Sequence, residues 1–350
     1  MQRQKQLSEW LHELFPEKKF TLAPASTDAS FRRYFRATFT DGQTRIAMDA
    51  PPQHEDCRPF LHVAKLFGDA GAHVPHVYAQ NLKLGFLLLS DLGNTTYLQA
   101  LSSKPLQQDD HSNSPSSVEN SVKTRELYGA ATDALIKIQL ASRKNELPIY
   151  DEALLLHEMR LFPEWYIAKH LKDTLSDIQS AKLETVFSRI VANNLAQPRV
   201  YVHRDYHSRN LMQLEENNPG VIDFQDAVYG PITYDLASLF KDAYIRWEEA
   251  EVIDWLIRYW EQARKVGLPV HDDFSNFYRD YEWMAVQRHL KILGIFARLH
   301  HRDGKDDYLK DLPLVMAYLR AACARYIDLK PLLNLIDTLE THNIQEGYTF

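Results

Sequence analysis

Apolar positions fall into two patterns along the chain. Up to about residue 90, short runs rich in aromatic and β-branched residues sit between turn signals, as strands do. "SFRRYFRATFT" (30–40) is expected to be a strand, "DGQ" (41–43) a turn and "TRIAM" (44–48) the returning strand. In "RPFLHVAKLFGDAGA" (58–72), Phe60, Val63, Ala64 and Phe67 recur at helical spacing, with Gly68 or Gly71 as the stop. "HVYAQ" and "GFLLLS" (85–90) are expected to be further strands. The second lacks polar alternation, which predicts burial on both faces.

From "RELYGAATDALIKIQLA" (125–141) onward the period is helical, and it recurs at 153–171, 178–195, 234–266 and 281–299. Between the two regimes, residues 102–124 are dominated by Ser, Asn, Gln, Asp and Pro. They bury too little to offset ordering entropy and are expected to form a mobile loop. The block 200–224 breaks the helical regime. "RVYV", "NLMQL" and "VIDF" suggest short strands and "EENNPG" a turn, which places the polar stretch "YVHRDYHSRNLM" (201–212) on the loop of a hairpin-like element.

That stretch carries spaced chemistry. His203-Arg204-Asp205 is followed by Asn210 five residues after the aspartate, and by Asp223-Phe224 thirteen residues later. This is the kinase order H-R-D-x-x-x-x-N, then D-F. Phosphoryl transfer needs positioning and charge neutralisation more than covalent help from protein. Asp205 is expected to orient an acceptor hydroxyl and take its proton, as an exposed carboxylate with an ordinary pKa. Asp223 is expected to hold Mg²⁺, with Asn210 adding a neutral carbonyl oxygen where a third carboxylate would repel the triphosphate. A competing reading makes His203, Asp205 and His207 transition-metal ligands, but it leaves Asn210 and Asp223 unexplained.

Composition narrows the class. With 350 residues the chain is long enough for two lobes. A formal net charge of −7 argues against nucleic acid as a partner. Two cysteines, Cys57 and Cys323, are too few for a disulfide framework. "MQRQKQLSEW" has no signal-type apolar stretch, and no apolar run approaches the roughly 20 residues of a membrane span. A cytoplasmic protein that uses no membrane is expected, with a monomer compatible.

With "GPITYDLASL" (230–239), the catalytic residues resemble the aminoglycoside phosphotransferase-like superfamily, whose members carry H-x-D-x-x-x-x-N, I-D-[FW] and G-x-x-x-x-D-L-A in that order. Further segments resemble the anomeric sugar kinases of bacterial cell-wall recycling, which phosphorylate N-acetylmuramate and N-acetylglucosamine at C1. They are "DASFRRYFR" (28–36), "MDAPP" (48–52), "GFLLLSDLG" (85–93), "QRHLKILGIFARL" (287–299) and "RDGK" (302–305). The resemblance implies an α+β, bilobal, protein-kinase-like fold. A small β-rich N-lobe would span 1–90 and a larger helical C-lobe 91–350. It also implies ATP and Mg²⁺ as cofactors and a small sugar as substrate. Asp205 would be the base, Asn210 and Asp223 the metal ligands, and Asp235 a brace for the loop through backbone hydrogen bonds; an N-cap role for Asp235 is the compatible alternative. Thr27, Asp28 and Ser30 would lie over the phosphates, and Ser90, Asp91 and Leu92 would reach the adenine.

One departure stands out. Met48 of "RIAM" occupies the place of the kinase strand lysine. Arg32 or Arg33 is expected to take over phosphate contact, the alternative being that both only solvate the surface. For the acceptor, Gln225, Asp226, Tyr234, Tyr281, Trp283, Arg288 and His289 qualify by position and type. Arg288 and His289 sit in the apolar pattern "MAVQRHLKILGIFARL", where a buried arginine needs either a protein carboxylate, such as Glu282 or Asp235, or an anionic ligand. His203 and Arg204 are expected to brace the loop. Two rivals remain at this level. One is a kinase of an amino-alcohol or aminoglycoside, favoured by the acidic and aromatic "HDDFSNFYRDYEW" (271–283). The other is a regulatory pseudokinase, favoured by the missing lysine.

Overall fold

The computed structural model describes residues 2–27, 31–102 and 115–347. In chain order the elements are α1 (Gln2–Leu14), β1 (Phe20–Thr27), β2 (Arg33–Phe39), β3 (Thr44–Asp49), α2 (Cys57–Asp69), β4 (Val77–Asn81), β5 (Phe86–Ser90), α3 (Tyr97–Ser102), α4 (Pro115–Leu140) and α5 (Glu152–Leu161). A π-helical segment (Phe162–His170) follows, then α6 (Asp177–Ala196), β6 (Arg199–Val202), β7 (Leu211–Met212), β8 (Gly220–Val221) and β9 (Val228–Pro231). The chain continues with α7 (Tyr234–Phe240), α8 (Glu249–Lys265), α9 (Phe274–Asp303), α10 (Leu312–Arg325) and α11 (Lys330–Gly347). Two compact units result: Met1–Ala141 with Arg209–Asp226, and Ser142–Ser208 with Ala227–Phe350.

The first unit is built on an antiparallel sheet of order β1-β2-β3-β5-β4. Strand alternation sends Phe35, Ala37 and Phe39 of β2 inward. Leu7, Trp10 and Leu11 of α1 pack with Phe35, Ala47, Phe86 and Leu88 in one cluster. Phe86 to Leu89 of β5 are all buried, as the unalternating sequence predicts. The Asp56 carboxylate caps α2 by accepting from Arg58 N, and Gly71 lies just beyond that helix at φ +84°.

The expected lobe boundary at residue 90 falls inside this unit. Main-chain pairing explains why: Gln213 N donates to Thr95 O and Val221 N to His73 O, each at 2.8 Å, which ties the β7–β8 ribbon to the first hundred residues. The expected loop over 102–124 is also corrected. Helix α4 already starts at Pro115, because extending a formed helix into a polar stretch fixes one residue per hydrogen bond gained. Residues 103–114 lie outside the described residues.

The second unit is organised around α9, whose residues Tyr281 to Gly294 are all buried. Around it pack α5, the π-helical segment, α6, α7 and α10. The periodic run 234–266 is two helices, α7 and α8, separated at 241–248. β6 pairs with β9, not with the strand that follows the polar loop, while β7 pairs with β8. The loop after β6 is therefore not the tip of a simple hairpin. Among the described residues no helix is long and apolar enough to cross a membrane.

Close approach has a sequence price at Gly294. A Cβ there would stand 2.4 Å from both the carbonyl carbon and oxygen of Leu161, where α5 passes into the π-helical segment. Gly294→Ala is expected to lower stability by about 2–3 kcal/mol. Gly129→Ala in α4 has nothing within 4 Å of the new methyl. It is expected to be neutral or to stabilise by about 0.5–1 kcal/mol. Thermal unfolding of both variants beside wild type measures the contrast.

Candidate active site

In the second unit the polar loop leaves β6 and is seized at once by a buried carboxylate. Asp235, in the first turn of α7, accepts His203 N at 2.7 Å and Arg204 N at 3.0 Å. These two bonds hold Arg204 at φ +77°, a region that side chains other than glycine rarely adopt. Burial raises the Asp235 carboxyl to about 6, against the pull of His203 and the two amides. Thr233, not Asp235, is the N-cap residue of α7.

The side chain of Arg204 turns back into a buried ionic cluster. Its Nη2 lies 2.5 Å from Glu158 Oε1, and Lys291 Nζ lies 3.1 Å from the same oxygen. The other Glu158 oxygen accepts from Tyr150 OH and, at 3.0 Å, from Gln287 Nε2. Lys291 also donates to Tyr234 OH at 3.0 Å. Burial opposes the charge on Glu158, but Lys291, Arg204 and these hydrogen bonds prevail and bring its pKa down to about 2.

Asp205 follows directly. Its N–H donates to His203 Nδ1 at 3.2 Å, and its C=O accepts His207 N at 3.0 Å. Asp205 is half-buried rather than exposed, and its pKa is shifted. Burial works against ionisation, but the charges of Lys291, His207, Arg288 and Arg204 carry the carboxyl down to about 2. Burial in turn brings His207 down to about 4, so at neutral pH the cations facing Asp205 are Lys291, Arg288 and Arg204. Asp242 closes the loop's far end by accepting Ser208 N and Tyr244 N, each at 3.0 Å.

In the first unit a second carboxylate is gathered. Asp223 sits at φ +64°, and the next residue, Phe224, is buried against Phe60 of α2 with ring centroids 4.9 Å apart. Asn210 O accepts Ile222 N, which sets the Asn210 side chain beside Asp223, with Nδ2 3.4 Å from Oδ2. Gln225 Nε2 donates to Asp223 Oδ1 at 2.9 Å and approaches Asp226 at 3.3 Å. Arg32 Nη2 lies 3.5 Å from Asp223 Oδ1, with its Nη1 4.0 Å from Glu55. One carboxylate beside one amide, partly open, fits Mg²⁺ when phosphates and water complete its shell, although it is the amide nitrogen that faces Asp223 in this structure. Among the described residues no three His, Cys, Asp or Glu side chains group as metal ligands, which removes the His203–Asp205–His207 reading.

The two arginines part company. Arg32 goes to Asp223, whereas Arg33 pairs with Asp49, a buried carboxylate that Arg3 also contacts through Nε at 2.9 Å. Met48 is buried in β3. Asp91 binds Arg36 through both oxygens, at 2.5 and 2.9 Å, and caps Gly93 N at 3.0 Å. Ser90 N is spent on His76 O at 2.8 Å, and Leu92 is buried. Thr27 closes β1 opposite Arg33, and Asp28 and Ser30 lie outside the described residues.

Of the acceptor candidates, Arg288 faces Asp205 electrostatically, while Gln225 and Asp226 stand with Asp223. Tyr234 and His289 are fully buried among internal partners. Tyr234 receives Lys291, and His289 meets Lys241 O at 3.2 Å and stacks on Tyr318. Tyr281 is buried, and Trp283 packs edge-on against Tyr326. The acidic groups of 271–283 are occupied. Asp273 caps α9, Asp272 meets Arg264, Asp280 meets His271 and Asn193, and Glu282 meets Lys241, Arg325 and Tyr326. Sequence reasoning passed over Glu158 and Lys291. Their signal was available as charges at core-facing positions of apolar helical patterns.

The model of the phosphotransferase enzyme family (APH) matches residues 21–274. The chain is 47% identical to the N-acetylmuramate/N-acetylglucosamine kinase of Neisseria meningitidis serogroup B, over 100% of each chain. It is 46% identical to the protein of the same name from Pseudomonas putida, over 95% of this chain and 94% of that one. Among solved structures, choline kinase LicA from Streptococcus pneumoniae superposes with a TM-score of 0.61 at 14% identity, over 92% of this chain and 100% of that one. ADP-bound aminoglycoside phosphotransferase APH(2'')-Ib gives 0.56 at 14% identity, over 89% and 97%. The fold is thus the bilobal, protein-kinase-like α+β type of these neighbours.

The ionic cluster sets a pH dependence. Glu158 has a folded pKa of about 2, below its usual 4.5, so the folded state binds its proton more weakly than the unfolded chain. Its stabilisation is complete above about pH 4.5 and is lost as pH falls toward 2. Asp235, raised to about 6, contributes the opposite slope: stability present below its usual 3.8 and lost as pH rises through 6. Glu158→Gln strands two buried cations and is expected to cost about 3–5 kcal/mol at pH 7. Urea midpoints of the variant are expected to fall less than those of wild type between pH 5 and pH 3.

Proposed function

We propose, from the premise that this chain belongs to the phosphotransferase enzyme family, that it transfers the terminal phosphoryl group of ATP to the anomeric hydroxyl of N-acetylmuramate and N-acetylglucosamine. The chain is a small-molecule kinase, and full-length relatives at 46–47% identity are named for these two sugars. One observation carries the assignment of the base. Asp205 is held ionised by buried cations, on a loop that Asp235 fixes through its backbone.

Asp205 accepts a hydrogen bond from the C1 hydroxyl and orients its oxygen toward the γ-phosphorus. The C1 oxygen forms the new O–P bond, the bond from γ-phosphorus to the bridging oxygen breaks, and ADP leaves with that electron pair. The hydroxyl proton passes to Asp205. Asp223 and Asn210 would hold Mg²⁺, which supplies positive charge against the triphosphate. Arg32, drawn to the same carboxylate, is the guanidinium assigned to phosphate in place of a strand lysine; Arg33 is committed to Asp49. The amino-alcohol rival loses its support here, because the carboxylates of 271–283 that would greet a cation are already bound to partners within the unit.

Incubation with ATP, Mg²⁺ and each sugar, followed by ³¹P NMR, is expected to give a sugar 1-phosphate. A phosphate on any other carbon, or ATP hydrolysis without sugar product, overturns the reading. Asp205→Asn is expected to lower kcat by about 10²–10⁴ with little change in nucleotide affinity. Asp223→Ala is expected to abolish the Mg²⁺-dependent part of nucleotide binding in calorimetry.

A further inference from the structure

The two sugars of the proposed reaction differ by one lactyl ether, which carries a carboxylate ionised at neutral pH. In the second unit one buried cation, Arg288, has no carboxylate within ion-pair distance among the described residues. Arg288 lies on the buried stretch of α9 and is 3% exposed, and its Nη1 is buried without an acceptor among the described residues. The protein carboxylates that sequence offers it are spent. Glu282 meets Lys241, Arg325 and Tyr326, and Asp235 meets the amides of His203 and Arg204. Arg288 is instead felt by Asp205 and by His207, whose Nδ1 is likewise buried without a partner. An unpaired guanidinium taken out of water is costly unless an anion completes it. Its planar fork matches a carboxylate in two parallel bonds.

We infer that Arg288 is the specificity-determining residue for an acidic substituent on the acceptor sugar, receiving the lactyl carboxylate of N-acetylmuramate beside the catalytic loop. The inference rests on the sugar-kinase reading. With a neutral sugar, Arg288 keeps the charge of Asp205 as its counterpart, so one protein accommodates both acceptors. Because Arg288 also acts on Asp205, its removal changes turnover of every acceptor. The informative quantity is therefore the ratio of kcat/KM for N-acetylmuramate to that for N-acetylglucosamine, in which the shared effect cancels.

Arg288→Lys and Arg288→Met are to be assayed with both sugars and with the methyl ester of N-acetylmuramate, which keeps the bulk and removes the charge. Folding is checked by thermal unfolding, and the lysine variant preserves the charge should the methionine variant not fold. The ratio is expected to fall at least tenfold in the methionine variant and less in the lysine variant. Wild type is expected to favour the acid over its ester at least tenfold, a preference the methionine variant loses. Wild type active on both sugars, with a ratio unchanged in the variants or no preference over the ester, overturns the inference alone. Wild type active on neither sugar overturns the sugar-kinase reading, and this inference with it.

Discussion

A single buried carboxylate, Glu158, sets the terms for the second unit. Two cations, Arg204 and Lys291, and two neutral donors converge on its oxygens, and they come from a loop, from α9 and from the segment before α5. None of these groups could be buried singly without losing charge or position. Together they are stable, and the cluster makes three distant stretches of chain mutually dependent. Arg204 links the cluster to the loop, since its guanidinium is anchored in the cluster while its backbone is bound to Asp235. Asp205 is the next residue, so its place in space is fixed by the cluster and by Asp235.

The first unit reaches a similar end by another route. Asp223 itself takes the left-handed conformation, and the apolar side chain beside it does the anchoring. Phe224, wedged against Phe60 and Phe67 of α2, converts helix packing into the position of a carboxylate. A left-handed non-glycine residue costs on the order of 1–3 kcal/mol, and here packing on one side and hydrogen bonds on the other over-determine it. Asp223 and Arg204, the residue before Asp205, thus stand at strained backbone that their surroundings hold, which is how a loop acquires the rigidity of an element.

How much of this was legible in the sequence depended on distance along the chain. Local signals survived. The strands at 33–39, 44–49 and 86–90, the helix at 57–69 and the spacing from Asp205 through Asn210 to Asp223 need only neighbours to be read. The partner of β6 was missed because it arrives 26 residues after that strand ends, beyond a ribbon that looks like the natural return. Start and stop of helices blurred where polar residues join a helix already nucleated, as at Pro115, or interrupt one with no proline or glycine to mark the break, as at 241–248. Glu158 and Lys291 are 133 positions apart. Each read singly is an ordinary helical charge, and only their meeting in three dimensions makes the buried cluster. Arg288 drew notice from sequence because a charge in so apolar a run demands a partner; which partner it has is a question of three dimensions.

The electrostatics of Asp205 bear on what the proposed base can do. A carboxyl with a pKa near 2 is a poor proton acceptor from an alcohol, so early deprotonation is not its strength. In a loose phosphoryl transfer the nucleophile needs little negative charge until the new bond is well formed, and only then does its proton become acidic enough to move. A strongly ionised carboxylate suits that sequence. On the proposed reading, the ionised carboxylate would accept the hydrogen bond of the acceptor hydroxyl and turn an oxygen lone pair forward. Arg204, one of the cations that lower the pKa of Asp205, also fixes the loop that carries it, through Glu158 and Asp235. With Asp205 as the proposed base, rate would come from alignment more than from basicity.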